Sequence, residues 1–193
     1  MVDGASGDGT AEAARAAGAR VLHRRPHRGV QLACGAAATR GDALLFLHAD
    51  ARLPPAARGA IERALADPAV SGGCFRLRFD PPTAWARFFT RGHDVHRRLT
   101  GRVYGDSAIF VRRASYAATG GFRPLPLLED DDLVRRLRRR GRFVVVADVD
   151  VRVSGRRFAR RPVRTALGWA SLECLALLGV PPRALARLYP DVR

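Results

Sequence analysis

The sequence predicts an α/β fold in which a mixed, mainly parallel β-sheet is flanked by helices. Helix-like and strand-like segments alternate through the first half of the chain, which is the pattern of βαβ units. The apolar run 43–47, bounded by a Gly-Asp turn, is typical of a strand buried on both faces. His48 and Asp50 follow this run directly, and ligands of open α/β sheets bind beyond the carboxyl ends of the strands.

The first half of the chain predicts short strands and helices around this central strand. Residues 4–10 form a Gly-rich turn, and the Ala-rich segment after it predicts a helix over 10–17 with Asp8 or Thr10 as its N-cap. A short strand and a small-residue helix are expected next, over 19–23 and 30–39. The pair Pro54-Pro55 begins a further helix, to about residue 66, because proline fits the first turn of a helix.

The second half has a more mixed pattern. Strands are expected over 72–79, 107–112 and 143–153, and helices over 83–99, 114–119, from the acidic run 129–132 to residue 140, and over about 165–178. The 193 residues suit one domain, with a C-terminal helical segment from about 165 to 193.

The strong positive charge does not by itself identify a partner. The formal net charge is +16, which is common in proteins that bind nucleic acid or anionic membranes. All 34 basic residues are Arg, however, and Asn is also absent, as a GC-rich genome would produce. We therefore favour composition bias with affinity for phosphate-bearing ligands, which the guanidinium group suits well, over a nucleic-acid partner.

Cysteine usage and hydropathy exclude further classes. The three cysteines are widely spaced, without a CxxC pair, so neither a structural zinc site nor a disulfide framework is expected. The first residues do not have the pattern of a signal peptide, and no run of about 18 apolar residues exists. We expect a cytoplasmic protein, with contact at the inner membrane face left open.

A first candidate site is the Gly-rich turn that contains Asp3, Ser6 and Asp8. Backbone N–H groups at a helix N-terminus favour phosphate, and a carboxylate can accept a hydrogen bond from a base or a ribose. A turn of this composition is most often only a turn, so this signal is weak alone.

A second candidate site is formed by His48 and Asp50. A divalent cation that also contacts a diphosphate needs only one or two protein carboxylates, and oxygen ligands suit Mg²⁺ or Mn²⁺. The alternative is that Asp50 only caps the following turn.

A third candidate site is the run Glu129-Asp130-Asp131-Asp132. Acids at the start of a helix are stabilised by the helix dipole, so capping alone is the alternative. Capping needs one or two acids, whereas crowded carboxylates raise one another's pKa and favour a general base that works near neutral pH.

Taken together and in this order, the three sites resemble a family 2 glycosyltransferase with the GT-A fold. The stretch 3–10 resembles its nucleotide-binding motif, and His48-Ala49-Asp50 resembles its metal-binding Asp-x-Asp motif. Gly120-Gly121-Phe122 and the acidic run with Leu133 resemble its acceptor-side motifs. The chain is most similar to the bacterial subgroup called "transferase 2, radical-SAM/selenodomain-associated", through segments that include Gly105-Asp106-Ser107 and 154–157.

The resemblance assigns roles to residues of this chain. It implies that Asp130 is the catalytic base, that Asp3, Ser6 and Asp8 bind the nucleotide, and that Asp50 and His48 bind a divalent metal, Mn or Mg. Further acceptor or phosphate contacts are expected from this set: Gly121, Glu129, Asp132, Asp106, Arg156 and Arg157.

Four departures from the family pattern bear on these roles. His48 replaces the first Asp of the metal motif, which leaves metal dependence open. Gly4 replaces a frequent second Asp, and Ser107 replaces the expected Gln. The family begins with a strand, a helix and a second strand, of which only Met1-Val2 remains, so the first strand and helix are expected to be missing from a truncated start.

The predicted function is transfer of a sugar from a nucleotide-diphosphate sugar to an unknown acceptor hydroxyl, inverting and metal-assisted. One alternative is an inactive nucleotide-binding remnant, motivated by the missing first strand. A less favoured alternative is a basic protein that binds nucleic acid or a membrane surface, with the segment near Arg161 and Arg164 as its contact. The sequence leaves open the donor sugar, its base, the acceptor and the oligomeric state.

Overall fold

A computed structural model describes residues 1–156 and 161–188 of the chain. Its strands in chain order are β1 (Val2–Asp3), β2 (Leu22–His23), β3 (Ala43–Phe46), β4 (Ala51–Arg52), β5 (Val70–Asp80), β6 (Ile109–Arg112) and β7 (Arg142–Ser154). Its α-helices are α1 (Thr10–Ala16), α2 (Arg28–Ala37), α3 (Ala57–Ala66), α4 (Ala84–Thr100), α5 (Arg113–Ala118), α6 (Glu129–Arg138), α7 (Pro162–Leu177) and α8 (Pro182–Leu188).

The sheet is mixed, as predicted, but parallel pairs do not dominate it. A five-stranded sheet has the order β3-β6-β5-β7-β4, and β1 pairs with β2 apart from it. Within the described residues, β1–β2 and β5–β7 are parallel, whereas β3–β6, β5–β6 and β4–β7 are antiparallel. The sequence pattern misses this because it shows which segments are strands and not which strands pair.

The prediction that β3 is buried on both faces is wrong. Leu44 and Phe46 are buried, but Leu45 and Leu47 are exposed. The described residues place β3 at the edge of its sheet with β6 as its neighbour, so only one face of the strand meets the core.

Strands β5 and β6 separate two apolar layers because successive side chains of a strand point to opposite faces. Phe75, Leu77 and Phe110 pack in one layer with α3, α4 and α7. Cys74, Ile109 and Val111 pack in the other layer, which is closed by Leu133, Val134 and Leu137 of α6. The second layer fixes α6, whose first turn contains the acidic run.

Local signals set several helix ends. The Thr83 hydroxyl accepts a hydrogen bond from the Ala86 amide at 3.2 Å, and Gly101 ends α4 with a positive φ of 70°. At α1 the N-cap is Gly9 rather than the predicted Asp8 or Thr10, although the Asp8 carboxylate still accepts from the Thr10 amide. The predicted C-terminal helical segment contains α7 and α8, and residues 189–193 lie outside the described residues.

Candidate active site

The first turn of α6 places four consecutive carboxylates in different surroundings. Each helical residue is rotated by about 100° from the one before it, so four neighbours cannot share one face. Glu129, Asp130 and Asp131 are buried, with 2%, 4% and 1% of their surface exposed. Acids so deeply buried need cationic or hydrogen-bonding partners.

Arg28 is the partner that Glu129 and Asp130 share. Its Nε lies 2.8 Å from Glu129 Oε1, and its Nη2 forms an ion pair with Asp130 Oδ2. The Gly105 amide donates a second hydrogen bond to Asp130 Oδ2 at 3.0 Å. The side chain of Arg28 is 47% exposed, so it connects the buried acids to solvent.

The other two acids have separate partners. Asp131 lies 3.4 Å from Arg135 and 3.9 Å from Arg102. Asp132 Oδ2 lies 2.6 Å from Arg136 Nη2, one helical turn away. In this structure the acidic run divides into a pair around Arg28 and two acids held by other arginines.

His48 joins the pair through the same guanidinium group. Arg28 Nη2 lies 2.9 Å from His48 Nε2, and because Arg can only donate, Nε2 is the acceptor. The residue predicted to bind a metal and the residue predicted to be the base are therefore brought to one arginine, from segments far apart in the chain.

Gly105 lies where these side chains meet. A Cβ at this position would come within 2.6 Å of His48 Nε2 and within 2.7 Å of both Arg28 Nη2 and Asp130 Oδ2. Real Cβ atoms do not approach so closely, so the ends of these three side chains would have to shift to admit a larger residue. Three distant segments thus converge on one backbone position.

The surroundings of Asp130 change its acidity. Burial raises the pKa of Asp130 to about 7, Arg28 opposes this shift, and Glu129 and Asp106 add to it. A carboxyl group with this pKa can hold or release a proton near neutral pH, as a general base requires.

Asp50 lies on an exposed turn. Its backbone carbonyl accepts a hydrogen bond from the Ser154 amide at 3.0 Å, which fixes the turn beside the end of β7. Its carboxylate has no hydrogen bond or ion pair with the described part of the chain. No group of three or more His, Cys, Asp or Glu side chains in residues 1–156 and 161–188 could hold a metal ion by itself.

The turn after β1 is organised by Asp3. Its Oδ2 accepts hydrogen bonds from the amides of Ala5 at 3.0 Å and Ser6 at 3.1 Å, and His23 Nδ1 lies 3.4 Å away. Hydrogen bonding, from Ser6 first, holds the pKa of Asp3 below its usual range. Asp3 is buried, yet its Oδ1 has no hydrogen-bond partner among the described residues.

The other residues of this turn have local roles in the structure. Ser6 is exposed, and Asp8 accepts from the amide and hydroxyl of Thr10 at 3.1 and 2.5 Å. Helix α2 connects the turn with the acidic pair, because Gln31 Nε2 donates to the Val2 carbonyl at 3.4 Å one turn after Arg28. The structure shows no direct contact between the described side chains of Asp3 and Asp130.

The remaining predicted residues surround the site or lie outside it. Asp106 follows Gly105, and its Oδ1 is 3.8 Å from His93 Nε2. Gly121 has a φ of 70°, and a Cβ there would meet the Tyr116 ring at 2.8 Å. Arg156 Nε donates to the Ser154 hydroxyl at 3.1 Å, and Arg157 lies outside the described residues.

Arg28 is the functional candidate that the sequence reasoning missed. The first helical residue is an unfavourable place for a cation, because the N-terminal end of the helix dipole is positive. An Arg at the start of α2 therefore indicated an acidic partner elsewhere, but the sequence could not identify Asp130 as that partner.

Comparisons with known proteins agree with this architecture. Residues 1–118 match the family model described as "Glycosyl transferase family 2", which is more than half of the chain. The chain belongs to this family. None of the curated proteins compared matches it.

Solved structures of nucleotide-sugar transferases have the same fold. A mannosyltransferase from Pyrobaculum calidifontis, in complex with GDP-Man and Mn²⁺, is 22% identical with a TM-score of 0.59, over 78% of this chain and 46% of that one. Glucosyl-3-phosphoglycerate synthase from Mycobacterium tuberculosis, in complex with Mn²⁺ and UDP-Glc, is 20% identical with a TM-score of 0.57, over 93% and 67%. At these identities the likeness shows the fold, which is GT-A. The chain spans about half the length of the first structure.

The fold was predicted from the resemblance, and the family comparison confirms both the family and the GT-A fold. The subgroup named in the sequence analysis stays a prediction. The roles of the individual residues also stay predictions, and they are developed in the next section as proposals.

Proposed function

We propose that the protein transfers a sugar from a nucleotide-diphosphate sugar to an acceptor hydroxyl with inversion at the anomeric carbon. The observation that carries this proposal is the convergence of Asp130, Arg28 and His48 on Gly105. It places a basic carboxylate beside a cation that suits phosphate oxygens, at the end of a strand in a GT-A fold.

Asp130 acts as the general base in this proposal. The acceptor oxygen gives its proton to the carboxylate as it forms a bond to the anomeric carbon, while the bond to the diphosphate oxygen breaks. The electron pair of that bond leaves with the nucleoside diphosphate. A pKa of about 7 lets Asp130 accept this proton near neutral pH.

Donor binding is assigned to the turn around Asp3 and to two arginines. The unpartnered Oδ1 of Asp3 is a buried acceptor suited to an N–H or O–H group of a base or ribose, with Ser6 and Asp8 on the exposed rim of the turn. Arg28 and Arg156 are positively charged side chains that suit the diphosphate. The GDP-Man and UDP-Glc complexes of the similar structures support a donor of this class.

A divalent metal, Mn or Mg, fits this donor set when the substrate completes its coordination. The carboxylate of Asp50 has no partner among the described residues, and two protein ligands suffice if diphosphate oxygens fill the other positions. A metal on His48 Nε2 would displace Arg28, which hydrogen bonds to that atom in this structure. When bound, such a metal would neutralise charge on the leaving diphosphate.

The decisive experiment compares Asp130→Asn with Asp131→Asn in a nucleotide-release assay with UDP- and GDP-sugars. Asp131 is a matched control, since it is equally buried on the same helix and does not contact Gly105. We expect Asp130→Asn to lower kcat by about 10²–10⁴-fold and Asp131→Asn to stay within about twofold. NMR of the product should show an inverted anomeric configuration.

Each part of the proposal can fail separately. Near wild-type turnover by Asp130→Asn would remove the base assignment. Nucleotide binding by calorimetry without turnover of any donor would favour the nucleotide-binding remnant instead. Full activity in a metal chelator would exclude the metal while leaving the base untouched.

A further inference from the structure

Helices α4 and α7 present apolar side chains to solvent along their whole length. On α4 these are Trp85, Phe88, Val95 and Leu99, whose successive spacings of three, seven and four residues place them on one face. Phe88 is 57% and Leu99 is 81% exposed. This stripe is about 21 Å long at 1.5 Å per residue, and no described residue covers it.

Side-chain contacts connect the two helices at two places. The rings of Phe89 and Trp169 are 5.3 Å apart, and His96 Nε2 lies 2.9 Å from Glu173 Oε1. Leu99 is one turn beyond His96, and Leu177 is one turn beyond Glu173, so both exposed leucines lie within about one turn of this contact. The α7 region also exposes Leu167, Leu177 and Leu178. We call these side chains together with the stripe of α4 the helical apolar surface.

Arginines border this helical apolar surface. Residues three or four apart are neighbours on a helix, so Arg91 lies beside Phe88 and Val95, and Arg98 also lies beside Val95. By the same spacing Arg164 neighbours Leu167. All three arginines are exposed, and none has a carboxylate partner in residues 1–156 and 161–188.

A second copy of the chain is a poor occupant of this surface. Asp94 and Glu173 are the acids of α4 and α7. Their side chains are 18% and 19% exposed and are already paired with Arg97 and with His96. Two copies face to face would therefore oppose arginines without exposed carboxylates between them, which is destabilising.

An anionic bilayer surface complements both features. Apolar side chains of a surface helix enter the boundary between headgroups and acyl chains, and each nearby Arg gains from the negative potential of the headgroups. A Trp at one end of the stripe is also typical of this interface. No helix in the described ranges is long and apolar enough to cross a membrane.

We propose that the helical apolar surface docks the protein on membranes that contain anionic lipids. This proposal does not depend on the transferase reaction. It adds α4 to the contact, whereas the sequence pointed to the α7 region near Arg161 and Arg164.

The test is co-sedimentation of the full chain with phosphatidylcholine vesicles, with and without phosphatidylglycerol. We expect binding to the anionic vesicles that falls with salt. The double variant Phe88→Ser/Leu99→Ser should lower this partitioning at least about tenfold. The variant Arg91→Glu/Arg98→Glu should lower it by a similar factor on anionic vesicles only.

Arg139→Glu/Arg140→Glu is the matched control, because it changes the net charge equally at exposed positions of the α6 end. It should keep at least about half of the vesicle binding if the position of the arginines beside the helical apolar surface matters more than the net charge of the protein. Equal loss in the control would overturn the proposal, and so would unchanged binding by Phe88→Ser/Leu99→Ser. Self-association that disappears in Phe88→Ser/Leu99→Ser, without vesicle binding by the wild type, would reassign the surface to a dimer. Circular dichroism melting checks that each variant is folded.

Discussion

The two ends of the candidate site are built in opposite ways. At the acidic end, Asp130 is held by Arg28, 102 residues away in sequence, and by the Gly105 amide, 25 residues away. At the nucleotide end, the hydrogen bonds of Asp3 go to amides two and three residues later. The acidic end is thus organised by the tertiary fold, whereas the nucleotide end is organised mainly by its own turn. Changes in packing should damage the first end far more than the second.

The strongest way to break the acidic end is Gly105→Ala. The new methyl group would meet His48, Arg28 and Asp130 at 2.6–2.7 Å, so all three must move. We expect kcat to fall about 10²-fold, the scale of a 1 Å misplacement. Affinity for the nucleoside diphosphate should fall as well, because Arg28, which is assigned to the diphosphate, is one of the side chains that move. Steady-state kinetics and calorimetry with the nucleoside diphosphate measure the two quantities.

Gly92→Ala is the matched control, because no atom lies within 4 Å of a Cβ at this exposed position of α4. It should keep wild-type kcat and gain about 0.5–1 kcal/mol of stability from the better helix former. Wild-type kcat in Gly105→Ala would show that the convergence has no role in the reaction.

The next largest effect is expected from pH. Asp130 must be ionised to accept a proton, and burial raises its pKa to about 7 against the opposing charge of Arg28. We expect kcat/KM to rise about tenfold per pH unit below 7 and to level above it. A flat profile between pH 5 and pH 8 would contradict the assignment.

The contribution of Asp130 to the stability of the fold should fall as pH rises, whereas kcat/KM should rise. The raised pKa of Asp130 means that the folded protein keeps a proton that the unfolded chain has lost between about pH 4 and pH 7. The stabilising contribution of the neutral carboxyl group is present below that range and is lost as pH rises through about 7. At pH 8, Asp130→Asn should therefore unfold at a higher temperature than the wild type, in thermal melts followed by circular dichroism.

Arg28→Gln should lower kcat/KM less than Gly105→Ala does, and it should do so by changing the pKa of Asp130. Without the guanidinium group, Glu129 and Asp130 repel each other with no shared cation, so the rising limb of the pH profile should move to higher pH. At pH 7 we expect kcat/KM about tenfold lower, with part of the loss recovered at pH 8.5. Arg28→Lys keeps the positive charge but not the planar guanidinium group that contacts both acids. Its kcat/KM should lie between those of the wild type and Arg28→Gln. An unmoved limb would show that Arg28 does not influence Asp130.

The smallest effect is expected at the nucleotide end. Asp3→Asn keeps an oxygen for the amides of Ala5 and Ser6 but removes the charged acceptor at Oδ1. The donor KM should rise about fivefold to tenfold with kcat within about twofold, as for the loss of one hydrogen bond to a charged group. A large fall in kcat with unchanged KM would show that the two ends are coupled.

Short-range signals predicted much of the fold. Thr83 and Gly101 limit α4 almost where their residue types indicate, and the long strands β5 and β7 were recognised from their composition. The two-residue strand β4 was not predicted, nor was the exposure of Leu45. Both depend on which strands become neighbours, and that choice is made by contacts between distant segments.

The same division applies to the candidate site. His48, Asp50, Asp130 and Asp3 were selected from local motifs, because each motif lies within a few residues. The contact of Arg28 with Asp130 joins segments a hundred residues apart, and the approach of three side chains to the Gly105 backbone depends on the fold. No pattern along the chain carries that information.

The directions in which the four acids of α6 point depend on their distance along the helix from the buried residues that follow them. Insertion of one residue between Asp132 and Leu133 would leave Leu133, Val134 and Leu137 in the core but rotate every acid by about 100° about the helix axis. Asp131 would then face Arg28, and Asp130 would leave it. A chain with the same four acids and an intact core would then present a different carboxylate to Arg28, so the position of the acids along the helix, and not their number, determines which one Arg28 contacts.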